Sequence, residues 1–223
     1  MRIVSFTFDD GSINGALLVD KMLKPYKATF YIVTSWVEPI LVQIEDRFNI
    51  GINHGTVDDW KSLLLKGHEI GSHTASHLRA NNPNIEKDCE KSLEFLKLLH
   101  SGPYSISSPH HSFLKTNLFD TIRVGTYNHI YKNNDENKIY NKLDTVNFKE
   151  IYSCDLMYFG LKRIIDYFED NIWLVLSYHS LDGEGFCPVS SEELLEIKDM
   201  FLRKDYEIKT VGEVFKQCNK CHS

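Results

Sequence analysis

Hydrophobic and polar positions along this chain alternate between a period of two and a period near 3.6, and the switches between them outline the elements. The first apolar run, Ile3, Val4, Phe6 and Phe8, predicts a buried strand that stops on Asp9, Asp10 and Gly11. Ile13 to Lys24 places Ile13, Leu17, Leu18 and Met22 on one helical face, and Pro25 ends that helix. Ala28 to Val33 is almost continuously apolar, as expected of a strand covered on both faces. Residues 36–55 have no clear period. Thr56-Val57-Asp58-Asp59 then reads as a capping-box start for a helix that runs to Lys66 and stops at Gly67.

His68 to Ser72 predicts a short strand leading into His73-Thr74-Ala75-Ser76-His77. Asn82-Pro83 opens a helix whose stripe is Ile85, Cys89, Ser92, Leu93, Leu96 and Leu99, broken by Gly102-Pro103. Tyr104 to Ser108 is a fourth strand, followed by Pro109-His110-His111, a helix near Phe113–Ile122 and a strand from Arg123 to Tyr127. The polar segment Asn128–Lys149 reads as a long loop, and Met157–Phe168 as an amphipathic helix. Ile172 to Tyr178 is the most apolar strand, with His179 directly after it. Ser190-Ser191-Glu192-Glu193 caps a helix to about Lys204, Tyr206–Thr210 is a last strand and Val211–Lys216 a last helix. About seven strands alternate with helices, which predicts a mostly parallel α/β architecture, taken as one domain over residues 1–223.

Composition narrows the classes. The 223 residues, 42% hydrophobic and 25% charged, describe a globular chain with enough length for a proper core. A net charge of −6 provides no footprint for nucleic acid or an anionic membrane. No apolar run is long enough to span a bilayer, and no leader precedes the first strand, so a cytoplasmic location without membrane insertion is expected. The five cysteines, Cys89, Cys154, Cys187, Cys218 and Cys221, are odd in number and scattered, as reduced thiols are. The tail Cys218-Asn219-Lys220-Cys221-His222 matches the c-type haem attachment pattern, but terminal thiols are the plainer reading. Oligomeric state is not encoded in any of these features.

The chemistry-bearing residues fall at strand ends. Asp9 and Asp10 follow the first strand, His73 and His77 the third, His110 the fourth and His179 the sixth, so four strands deliver polar groups to one rim. Two adjacent carboxylates serve one site only where the strand has ended, and Gly11 permits that exit; an ordinary Asp-Gly turn is the plain alternative. His73 and His77, four apart, share a face if that segment is helical, and with one aspartate they make an Asp-His-His set suited to a catalytic divalent metal. His179 is placed either as a core histidine or as a general acid that protonates a leaving amine.

Thr7-Phe8-Asp9-Asp10-Gly11 followed by His73-Thr74-Ala75-Ser76-His77 resembles the first two motifs of the polysaccharide deacetylases, the NodB-homology domain or carbohydrate esterase family four. The likeness extends to Ala28-Thr29-Phe30-Tyr31, to Gly67-His68-Glu69-Ile70-Gly71-Ser72-His73 and to the strand ending at His179. It implies a distorted (β/α)7 barrel and metal-dependent removal of an N- or O-acetyl group from an acetylated saccharide. It further implies that Asp10, His73 and His77 hold the metal, commonly zinc, with cobalt, manganese or nickel suited to the same donors. Asp9 is then the general base, His179 the general acid, and the backbone N–H at His110, after Pro109, a stabiliser of the oxyanion.

Two motifs depart from the family pattern. The third, usually Arg-x-Pro-Tyr-Gly with its arginine paired to the catalytic aspartate, aligns with Ser107-Ser108-Pro109-His110-His111 and has no arginine. Arg79 is the candidate replacement, against the plain reading of a solvated surface arginine. The fourth, an aspartate–tryptophan pair supporting the acid histidine, has Asp155 as its nearest candidate. Trp36, Trp60, Tyr127 and Tyr178 are candidates for stacking on sugar rings, with core packing as the default for each. Two other classes stay open: a metallohydrolase of the same fold acting on a non-sugar C–N bond, and a catalytically silent glycan-binding domain.

Overall fold

The computed structural model describes residues 1–38, 47–125, 140–155 and 170–220. Its strands are β1 (Arg2–Phe8), β2 (Thr29–Ile32), β3 (Glu69–Ser72), β4 (Ser105–Ser107), β5 (Thr121–Gly125), β6 (Asn141–Lys142), β7 (Ile151–Asp155), β8 (Ile172–Tyr178) and β9 (Glu207–Ile208). Its described helices are α1 (Ile13–Leu23), α2 (Val57–Leu65), α3 (Ile85–Leu99), α4 (Ser191–Arg203) and α5 (Val211–Lys220). The pairing order β1-β2-β3-β4-β5-β7-β8 closes when β8 returns to β1, in parallel register from Arg2↔Ile172 to Phe8↔Tyr178. The result is a distorted (β/α)7 barrel. Strand β6 adds antiparallel to β8, and β9 adds parallel to β1, both outside the ring.

Residues along each barrel strand alternate between a helix-facing and an axis-facing side. Val4, Phe6 and Phe8 of β1 and Leu174, Leu176 and Tyr178 of β8 face outwards, in one apolar cluster with Val19, Leu23, Leu194, Ile197 and Phe201 of the helices. Inside, Ile3, Ile151, Trp173 and Val175 plug the base of the barrel, with Val211 and Val214 of α5 in the same cluster. Above that plug the lumen is polar: Ser5 accepts from Trp173 Nε1 at 2.9 Å, and Ser107, Arg123 and Ser153 form a hydrogen-bonded layer. The apolar runs of the sequence are therefore covered on both faces, but one of those faces is polar.

Several expectations need correction. The seventh barrel strand is Ile151–Asp155, just beyond the segment read as a loop, whereas the run near Tyr206–Thr210 supplies only the two-residue β9 outside the ring. No helix forms over Phe113–Ile122; the chain there is irregular until β5 begins at Thr121. In α1 the buried stripe is Ile13, Ala16, Val19 and Leu23, and Leu17 is 46% exposed, so the helix is rotated by about one residue from the expected face. Helix caps match their signals: Thr56 and Asp59 complete a capping box on α2, and Ser190 accepts from Glu193 N–H on α4. The expected helix Met157–Phe168 and Tyr127 lie outside the described residues, as do Cys221 and His222 of the tail motif. Among the described residues the other four cysteines form no disulfide. No helix among the described residues is long and apolar enough to cross a membrane.

Candidate active site

All seven barrel strands run in one direction, so their C-terminal ends form a single rim. At β1 the backbone turns left-handed straight after the strand: Asp10 has φ 68° and Gly11 φ 87°, while Asp9 still donates its N–H to Tyr178 O at 2.8 Å. That reversal lets two neighbouring carboxylates line the same cavity. A Cβ on Gly11 would lie 3.0 Å from Ile32, a second reason for glycine there.

His73 and His77 converge as expected, with ring centroids 5.0 Å apart, but through a looped segment rather than a helical turn. Thr74 (φ 65°) and His77 (φ 57°) are both left-handed. The loop is held from α3, where one oxygen of buried Asp88 accepts the N–H groups of Ala75 at 3.0 Å and Ser76 at 2.9 Å. One turn further along the helix, Ser92 Oγ meets Ser72 Oγ at 2.7 Å. A short loop with two such pegs has its histidine directions set before any ligand arrives.

Asp10 Oδ1 lies 3.6 Å from His73 Nε2 and 3.5 Å from His77 Nε2. This Oδ1 is buried without a hydrogen-bond partner, whereas Oδ2 accepts from Asn49 Nδ2 at 3.2 Å. His73 Nδ1 faces Ser107 O at 3.0 Å, which puts its proton on Nδ1 and turns the Nε2 lone pair towards Asp10. Burial first, then the neighbouring His77, holds His73 well below the usual histidine range, against the opposing pull of Asp10, so the imidazole is neutral. Two imidazole nitrogens and a carboxylate oxygen converging at these separations fit a divalent ion, whose ligands at ~2.1 Å stand roughly 3.4 Å apart when tetrahedral.

Beside this triad, Arg123 Nη2 forms an ion pair with Asp9 Oδ2 and also donates to Ser107 Oγ, while Nη1 donates to Ser153 Oγ at 2.8 Å. Both charged side chains are almost fully buried. Ser107 stands where the family motif carries arginine, and it is in register with Arg123 on the neighbouring strand. The cation therefore reaches the same aspartate from one strand over. This corrects the candidate replacement: Arg79 is exposed on the cavity rim, its charge bearing on His110, and Asp9 takes its partner from Arg123. Arg123 also sits 5.2 Å above the Tyr31 ring. A lone arginine facing inwards opposite Ser107 and Ser153 is the signal that motif reading along the chain passes over.

Of the remaining candidates, His110, Asp155 and His179 line one cavity of about 270 Å³ together with Asp9, Asp10, His73 and His77, while Pro109 is not in its lining. Pro109 opens a turn in which His110 (φ 56°) and His111 (φ 52°) are both left-handed. The His110 ring lies 4.3 Å from that of His77, its Nε2 3.1 Å from His77 O. His111 packs against Gly125, where any Cβ would overlap its ring. Burial, with the charges of Arg123 and His179, pushes His111 down to about 4, so it is uncharged at neutral pH. His179 follows β8 with its ring edge-on to Phe186 at 5.0 Å, and Asp155, buried at the end of β7, lines the same cavity. Trp36, Trp60 and Tyr178 are 5%, 0% and 5% exposed and belong to the interior, whereas Phe48 and Phe186 occupy the cavity wall.

The family model described as Polysaccharide deacetylase matches residues 1–138. No curated protein matches the chain. Among solved structures, a family 4 acetyl xylan esterase from Clostridium thermocellum, in complex with a cobalt ion, superposes with TM-score 0.57 at 20% identity, over 97% of this chain and 91% of that one. A peptidoglycan N-acetylglucosamine deacetylase gives TM-score 0.59 at 20% identity, over 96% and 88%. A CE4 family pseudoenzyme from Bacillus anthracis gives TM-score 0.59 at 12% identity, over 96% and 66%. At these identities the structural likeness is one of fold. With a family model matched over more than half its length, and that fold beneath it, the chain belongs to the polysaccharide deacetylase family.

Proposed function

We propose that this protein is a metal-dependent hydrolase that removes an acetyl group, N-linked in the main, from a sugar or glycoconjugate in polysaccharide or surface-glycan metabolism. The observation that carries this reading is the convergence of Asp10 Oδ1 with two histidine Nε2 atoms beside the buried Asp9–Arg123 pair. Asp10, His73 and His77 would hold a divalent ion, zinc first, with cobalt, manganese or nickel accepted by the same donors. Such an ion, when bound, polarises a carbonyl and renders water more acidic.

The protein's own groups divide the proton transfers. Asp9, with Oδ2 committed to Arg123 and Oδ1 unpartnered, receives the proton of the attacking water on Oδ1. The N–H of His110, after Pro109, donates to the developing oxyanion. As the C–N bond breaks, His179 gives its proton to the departing amine and acetate is left behind; Asp155 supports it from the end of β7. A silent glycan-binding domain drew its support from the missing arginine and the unmatched fourth motif, and Arg123 speaks against the first of these grounds. The absence of a disulfide among the described residues accords with a reducing, cytoplasmic setting, which we include in the proposal.

The test is acetate release by metal-loaded protein from N-acetylglucosamine oligomers, set against a panel of small amides. Asp9→Asn and His179→Ala each lower the rate by at least ~100-fold while stoichiometric metal is retained. Full activity in both variants would show the roles to be wrong. Turnover confined to the amide panel would move the protein to the non-sugar class.

A further inference from the structure

Resting on the deacetylase reading, we infer that Phe48 and Phe186 form a saccharide subsite at the cavity mouth, where the sugar ring carrying the acetyl group stacks by its apolar face. The two rings come from separate segments, the turn at 47–50 and the loop after β8, and meet edge to face with centroids 4.8 Å apart. Both line the cavity that contains Asp9, Asp10 and His179. Phe48 is 40% exposed although it belongs to that cavity, and Phe186 is half-buried. An aromatic kept in solvent beside buried carboxylates is placed for a ligand with both apolar and polar surfaces.

Each ring is fastened to a group that does chemistry. Asn49, next to Phe48, is buried and donates to Asp10 Oδ2. Phe186 packs edge-on against His179. The Arg47 guanidinium lies over the Phe48 ring, 4.5 Å from its centroid. The loop bearing Phe186 is pinned where Glu184 accepts from Ser12 Oγ and from Asn14 Nδ2, and where Val189 N–H donates to Ser180 O at 3.1 Å. The wall is thus set before a ligand arrives, which reduces the ordering cost of binding.

The chemistry then locates the sugar. In an acetamido sugar a single nitrogen separates the reacting carbonyl carbon from the ring, so a carbonyl at Asp10, His73 and His77 puts the ring at the cavity mouth. A volume of about 270 Å³ is at the small end for ligand sites and suits one ring with its acetamido group. The alternating C–H face of a pyranose is the surface that stacks on an aromatic, a contact a small aliphatic amide cannot make. The pair accordingly selects for saccharide.

The experiment uses full-length, metal-loaded protein and the N-acetylglucosamine tetramer. Phe48→Ala raises KM about tenfold and leaves kcat within about twofold, and Phe48→Leu, which keeps apolar volume without the ring, behaves like the alanine variant. Phe48→Trp holds KM at or below the wild-type value. In the Asp9→Asn background, calorimetric titration of the same tetramer shows the same weakening without turnover. Unchanged KM and unchanged binding in Phe48→Ala would overturn the subsite. Binding that depends on Phe48 in a protein that releases no acetate keeps the subsite and refutes the deacetylase reading, so the two failures are separable.

Discussion

Replacing Arg123 with methionine removes the guanidinium while keeping an unbranched apolar stem, and it isolates the pair beneath the active site. Asp9 and Arg123 retain 9% and 4% of their side-chain exposure, so neither charge has water to fall back on. At a hydrogen-bond separation of ~3 Å and an effective dielectric near 20, the attraction is about 5 kcal/mol, most of it offset by desolvation of both groups. Removing one partner forfeits the attraction and keeps the other group's desolvation, which costs about 3–5 kcal/mol. Ser107 and Ser153 lose their donor in the same step, about 1 kcal/mol each. We expect Arg123→Met to lower the unfolding free energy of the metal-free protein by about 5–7 kcal/mol in urea titrations, and Asp9→Asn by about 3–5 kcal/mol. The double variant loses far less than the sum, with a coupling of at least about 2 kcal/mol. Arg79→Met, at the exposed rim, stays within about 0.5 kcal/mol of wild type. Additive losses, or a larger effect at Arg79 than at Arg123, would refute the argument.

Three further outcomes follow from other contacts. Asp88→Ala leaves the N–H groups of Ala75 and Ser76 without their acceptor, and the metal dissociation constant measured by chelator competition rises about 10–100-fold; an unchanged constant would rule out Asp88 as the support of the histidine loop. Burial raises the Asp20 pKa, but hydrogen bonds from Lys66 at 2.8 Å and His68 at 3.1 Å outweigh it and hold the carboxyl at about 2, below its ordinary 3.8. Its stabilisation is therefore complete above 3.8 and lost as pH falls through about 2, so Asp20→Asn costs about 1–2 kcal/mol at pH 7, allowing for the partly exposed Lys66, and the gap to wild type closes in acid melts. Burial pushes the Cys89 thiol up to about 12, and a disulfide reagent labels exposed Cys187 in the folded protein well before Cys89; equal rates would mean that α3 opens readily.

The legible part of the site was its first and third strand ends, because Asp9-Asp10-Gly11 and His73–His77 are contiguous in the chain. Their spacing was informative even though the assumed helical turn was not: loop φ values, set by Asp88 and Ser92 from a distant helix, do the aiming. Arg123 and β7 were missed for one reason. Above the apolar plug the axis-facing positions are polar, so Thr121-Ile122-Arg123-Val124-Gly125 and Ile151-Tyr152-Ser153-Cys154-Asp155 lack the continuous inward apolar stripe that marks a core strand. The rotation of α1 has a similar origin: Ala16 and Val19 are small enough for the barrel wall, and Leu17 loses that competition to sit in solvent. Core packing, the default reading for Trp36, Trp60 and Tyr178, is what their burial shows, whereas Phe48 escaped notice because the segment that carries it has no period to read.

The register of Ser107 with Arg123 also constrains how such a site changes over time. One rung of the sheet supplies the cation, and either of its two strands can carry it. Arginine on both strands would put two positive charges against one carboxylate in a closed lumen, and arginine on neither would strand Asp9 without a counter-charge. Each single step between the two solutions passes through one of those states. With the charge on β5, the position facing it on β4 is held to a small neutral side chain such as Ser107.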